Sequence, residues 1–208
     1  MLIEDGTGKG KFAGVDTDNR LEVSSIATPL EHHELHESEL FTCHYENTVT
    51  NTDEMTVVAF NTPKTRDVVL AFRAEVTGTA TIAFCENTSI DAGEGTTLTV
   101  YNRNRGNKVA SEMRTIEATP VEGSVTRFDE TQAAGANITT TTELWQQSIG
   151  SDLKQAVESR SGRSMNEWLL EKNQQYAVVI KSTTDDDNIC NLTLNWYEEE
   201  IAEHGHEH

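Results

Sequence analysis

Basic residues are scarce in this chain. Sixteen Lys and Arg stand against 35 Asp and Glu, a net charge of −19. Direct binding to nucleic acid needs a surplus of cations to neutralise phosphates, so this balance excludes it as a main role. Cysteine is also scarce: Cys43, Cys85 and Cys190 are an odd number with no close pair. That excludes a disulfide framework and a zinc site, and reads as buried thiols in strand-like runs. Long apolar runs are missing, and nothing approaches the roughly 20 residues of a membrane helix. Leu2 and Ile3 are followed at once by Glu4 and Asp5, so the start lacks a basic-then-apolar leader pattern, and synthesis and folding in a cytosol are expected. Aromatics make up 6%, which suits a β domain with a thin core better than a large α/β enzyme. The acid surplus is compatible with a basic protein partner, or with solubility alone.

The first forty residues differ from the rest. They hold few large apolar residues, and Gly6, Gly8, Gly10 and Gly14 fall close together. Neither a 3.6-residue nor a two-residue period is present. Such a segment buries too little apolar surface to offset its chain entropy, so residues 1–38 are expected to be an extended arm that orders against something else.

From Glu39 strand patterns begin. Phe41 to Thr50, Met55 to Phe60, Arg66 to Val76 and Thr79 to Asn87 read as strands, the last two as a hairpin around Gly78. Ala80, Ile82 and Phe84 share one face. Ser89 to Gly95 reads as a loop, and Thr96 to Asn102 resumes the pattern with Leu98 and Val100 together. Residues 110–128 have room for one or two strands. Asp129 to Asp152 is small and polar; SDLKQAVESRSG has room for one helical turn or two but not a long helix, and reads better as an extended surface loop. Tyr176 to Ile180 and Asn188 to Glu200 close the domain, separated by an acidic turn. In the last strand Ile189, Leu192, Leu194 and Trp196 mark the apolar face, with a slip near Cys190. The whole predicts an all-β fold, an antiparallel β-sandwich over 39–200, with a His-rich mobile tail at 201–208.

No constellation identifies a reaction. DGTGKGK lacks the spacing and the preceding strand of a phosphate loop. The serines are not in a nucleophile elbow. Cys43 and His44 are neighbours in sequence, which says nothing of a dyad in space. His32, His33 and His36, and His204, His206 and His208, are candidate metal ligands beside carboxylates, but a contact segment and an adventitiously chelating tail explain them better. Trp145, Trp168, Tyr176, Trp196 and Tyr197 suit a sugar-stacking platform or, more often, a core or intersubunit seam.

The opening IEDGTGKG…AGVDTDNRLEV with EHHELHE resembles the N-terminal arm of structural proteins from tailed-bacteriophage virions. LTVYNRNRGNK resembles them too, as does EWLLEKNQQYAVVIKSTTDDDN…LTLNWYEEE, although Lys172-Asn173 stands where that family places a proline. The resemblance covers about half the chain. It implies a jelly-roll-like sandwich, often a homotrimer, with no enzymatic activity and no cofactor. It implies a capsid decoration (cement) protein on the exterior of the virion, made in the bacterial cytoplasm and bound to the major capsid protein. A head-fibre or tail-associated module contacting host surface glycans is the alternative. On this reading Ile3, Asp5, Gly6, Gly8, Val15, Asn19, Arg20, Leu21 and Val23 carry attachment. Trp168, Tyr176, Trp196 and Tyr197 then lie in the core or at the trimer seam.

Overall fold

A computed structural model of the chain describes residues 3–4, 12–15, 21–22, 39–91, 95–106, 109–116, 119–130, 138–150, 155–158 and 167–199. The chain divides into two compact units, residues 1–33 and 34–208. In the first, β1 (Ile3–Glu4), β2 (Phe12–Val15) and β3 (Leu21–Glu22) form an antiparallel sheet in the order β1-β2-β3. Ile3 pairs with Ala13, and Val15 with Leu21. Both of these pairs join apolar positions, which fit a pleated ladder.

The second unit is all β among the described residues. Its strands are β4 (Leu40–Val49), β5 (Met55–Asn61), β6 (Asp67–Val76), β7 (Ala80–Ile90), β8 (Thr96–Thr99) and β9 (Tyr101–Asn102). They continue with β10 (Ser124–Glu130), β11 (Ile138–Ile149), β12 (Gln155–Glu158), β13 (Trp168–Leu170), β14 (Gln175–Ser182) and β15 (Asn188–Glu199). One sheet has the order β12-β6-β15-β4-β9, with β13 also on β6. The other has the order β11-β7-β14-β5-β10-β8. All pairings are antiparallel, and the two sheets pack as a sandwich around one core.

Alternation explains which side chains fill that core. Val68, Leu70, Phe72, Ala74 and Val76 of β6 face it, as do Ala80, Ile82 and Phe84 of β7 from the opposite sheet. β6 and β7 are therefore not a hairpin. The chain crosses between sheets at Thr77–Thr79, because both strands bury the same interior from opposite sides. Turn residues alone do not distinguish such a crossing from a hairpin. In β15 the inward set is Cys190, Leu192, Leu194 and Trp196, while Ile189 lies outside at 38% exposure. The apparent slip at Cys190 is thus the true register, and Ile189 is the residue off the core face.

β5 and β14 read as continuous apolar runs because their sheet is covered on both faces. Val58, Phe60, Tyr176, Val178 and Ile180 face the main core. Met55, Val57, Ala59, Ala177 and Val179 form a second cluster with Phe128 and with Ile116 from the β9–β10 connection. Two segments expected as surface loop are strands. β11 pairs with β7 from Ile138↔Ile90 to Ile149↔Ala80, with a register shift between Glu143 and Trp145. β12 pairs with β6. Threonine-rich stretches fit a pleated surface through their β-branched side chains even without an apolar face. Gly150 ends β11 at φ +147, where any Cβ would run into Thr79.

The three cysteines are free and buried. Burial pushes the Cys43 thiol up to about 12 and the Cys190 thiol up to about 11. The thiolate is the reactive form. Native protein is therefore expected to resist an aromatic disulfide reagent at neutral pH, and to react with it once unfolded in urea. Rapid labelling of Cys43 or Cys190 in the native state would contradict this packing.

Candidate functional site

Among the described residues, one densely connected polar site lies where the chain enters the sandwich. Glu198 sits near the end of β15 and is fully buried. Position 198 continues the inward series of β15, so its carboxylate points into the fold beside Trp196. Three donors converge on it. The Ser111 hydroxyl donates to Oε1 at 2.5 Å, Trp196 Nε1–H to Oε1 at 3.0 Å, and the Glu112 backbone N–H to Oε2 at 2.8 Å. Burial pushes the Glu198 carboxyl up, while the hydrogen bonds from Ser111, Glu112 and Trp196 pull it down; the net shift is upward.

Arg66, in the β5–β6 connection, gathers the carboxylates around this point. Its Nη1 lies 2.8 Å from Glu39 Oε1, and its Nε 3.1 Å from Glu112 Oε1. Burial works against its charge, but Glu39, Glu112 and Glu198 outweigh that and hold its pKa above the ordinary value. The Glu198 N–H also donates to the Glu39 carbonyl at 3.3 Å. Glu39, which leads into β4, is thus clamped to the β5–β6 connection, the β9–β10 segment and the last strand. The arrangement can hold a chain entry rigidly: every oxygen of Glu198 is occupied, so it is not poised to move a proton to an outside group.

The opposite end of the sandwich is acidic. In the β4–β5 turn Asp53 takes φ +70, and the buried Glu54 carboxylate turns back on the turn itself. Its Oε2 accepts the Thr50 and Asn51 N–H groups at 2.6 and 3.1 Å, and its Oε1 the Asn51 amide at 2.6 Å. Burial alone would push its carboxyl up, but these donors outweigh it and hold it below the ordinary value. Asp185 of the β14–β15 turn accepts the Thr52 N–H at 3.0 Å; hydrogen bonding from the Thr52 side chain, and then from its N–H, lowers the Asp185 pKa. A group depressed in the folded state contributes stability above its unfolded pKa, and that contribution is lost as pH falls through the folded value. Glu54→Gln is therefore expected to lower the urea midpoint at neutral pH, with the gap to the parent closing below the carboxylate range. A constant gap at all pH values would contradict this role.

The candidate residues from the sequence fall as follows. Of the attachment set, Ile3, Val15 and Leu21 lie in the first unit's strands, while Asp5, Gly6, Gly8, Asn19, Arg20 and Val23 lie outside the described residues. The histidine clusters at 32–36 and 204–208 also lie outside them. Trp196 and Tyr176 are core residues, and Trp196 packs on Phe41 at 5.9 Å. Trp168 is half-buried against Phe84 at 5.1 Å, Trp145 packs edge-on to Phe72 at 5.8 Å, and Tyr197 is buried. These five aromatics do not form an exposed row. Among the described residues no group of three or more His, Cys, Asp and Glu is placed to hold a metal ion, and no helix is long and apolar enough to cross a membrane.

Sequence reasoning missed Arg66, Ser111, Glu112 and Glu198. Glu198 stands in the Asn-Trp-Tyr-Glu close, and its inward parity with Trp196 was the available signal. In comparisons with protein families, curated proteins and solved structures, nothing matches the chain.

Proposed function

We propose that the chain is a non-enzymatic structural protein of a tailed-phage virion, a decoration protein that binds and stabilises the major capsid protein lattice from outside. The observation that carries this reading is the division into a small N-terminal unit, residues 1–33, and a sandwich whose entry residue Glu39 is held by Arg66. A small attachment unit tethered to a rigid body makes two contacts at high effective concentration, which raises avidity without a larger interface. A protein that binds only the assembled lattice stabilises it by mass action.

The strand order supports the jelly-roll form of the sandwich. The positions β4, β5, β6, β7, β11, β12 with β13, β14 and β15 fall into the orders β12/β13-β6-β15-β4 and β11-β7-β14-β5. Two interlocked Greek keys produce that order. The resemblance of both chain ends to virion proteins supports the setting. The glycan-binding alternative is weakened by the burial of Tyr176, Trp196 and Tyr197. The test is heat stability of capsids stripped of this protein. Adding it back is expected to raise the temperature of DNA release, and saturable addition with no change would overturn the reading.

A further inference from the structure

β8, β9 and the loop that follows them are out of character with the rest of the chain. From Gly95 to Ser111 there is no Asp or Glu, in a sequence with 35 of them, while Arg103, Arg105 and Lys108 fall within it. Arg103 and Arg105 are exposed and have no carboxylate partner among the described residues. Beside them Tyr101 is 54% exposed and Val109 41%, and the Arg105 guanidinium lies 6.0 Å from the Tyr101 ring. The described ends of the loop are also tied down. The buried Asn102 donates to the Val109 carbonyl at 2.9 Å and accepts the Asn104 N–H at 2.8 Å, and the Arg103 N–H donates to Leu40 at 2.9 Å. Exposed Tyr and Arg on a preorganised loop are the composition of an interface anchor, because little entropy is lost when they dock.

The complementary chemistry is present in the same molecule, but out of reach. β9 pairs with the start of β4, at Phe41 and Thr42, whereas the acidic turns lie past its other end, after Val49. At about 3.4 Å per residue the strand separates the two by about 30 Å, several times the screening length of about 8 Å at physiological salt. At that far end Asp186 and Asp187 are exposed and have no cationic partner among the described residues.

We infer that the Tyr101–Arg103–Arg105 loop of one copy docks on the Asp186–Asp187 turn of a second copy of this chain, head to tail. The inference is independent of the virion reading. Different patches meet in such a contact, so it is heterologous and closes into a ring or runs on as a filament. The patches are small and exposed, so the association is weak and sensitive to salt.

Sedimentation velocity of the full chain tests this. The parent is expected to associate with rising concentration at low salt and to dissociate when salt is raised. The double variants R103E/R105E and D186K/D187K are each expected to associate at least tenfold more weakly, with unfolding midpoints close to the parent's. An equimolar mixture of the two is expected to restore association, since each copy then meets its complement; misfolding of either variant would not give this rescue. A parent that stays monomeric, association that survives either reversal, or a mixture that stays dissociated would each overturn the inference.

Discussion

Phe84→Ala is expected to lower unfolding stability by about 3–5 kcal/mol, the range for removing a buried aromatic ring. Phe84 is fully buried in β7 and stacks on Tyr176 of β14 with ring centroids 5.7 Å apart. It also reaches Phe72 of β6 at 5.7 Å and Trp168 of β13 at 5.1 Å, across the sandwich. One ring thus joins both sheets, and the cavity would be lined by rigid aromatic neighbours that collapse poorly onto it. Phe84→Leu keeps most of the volume and is expected to cost about 1.5 kcal/mol or less, as for other near-isosteric swaps. Urea unfolding followed by tryptophan fluorescence measures both. A loss below about 1 kcal/mol for the alanine variant would mean that the sheets are not joined through this residue.

Glu198→Ala is expected to cost about 3 kcal/mol or more, because it strands three donors in the interior at about 1–3 kcal/mol each. The Ser111 hydroxyl, the Trp196 indole N–H and the Glu112 N–H would all lose their acceptor in the interior. Glu198→Gln keeps the shape but turns an amide donor toward groups that are already donors, and is expected to cost about 1–3 kcal/mol. The pH dependence adds a sign. The Glu198 pKa is raised on folding, so its contribution is fully present below the unfolded carboxylate value and is lost as pH rises through the folded one. This is the reverse of Glu54. Glu198→Gln is expected to flatten the decline in stability with rising pH above the ordinary carboxylate range. An unchanged slope would show that Glu198 titrates as it does in the unfolded chain.

The parts of this fold that the sequence discloses are those where one face is apolar and the other is not. β6 and β15 alternate cleanly, and β5 and β14 declare themselves by continuous β-branched runs. β11 is hidden because ITTTTELWQQSI has no apolar face, and the irregularity between Glu143 and Trp145 breaks what parity it has. The crossing at Gly78 is hidden because its residues suit a hairpin equally well; only the shared interior of Phe72 and Phe84 decides. Glu198 is hidden for a different reason. Among 35 acidic residues, its only signal is its parity with Trp196 along the last strand, and Glu54 is buried as well. NRNRGNK reads in sequence as a polar turn; that Arg103 and Arg105 have no carboxylate partner among the described residues, and lie far from the acidic turn, emerges only in three dimensions.

The most direct test of the attachment model is cosedimentation with purified phage capsids, comparing the full chain with residues 39–208. The full chain is expected to bind saturably, and the shortened chain to bind at least tenfold more weakly while keeping the same unfolding midpoint, since the sandwich has its own core. Equal binding by the two forms would contradict attachment through the N-terminal unit. Binding by neither would contradict the decoration role itself.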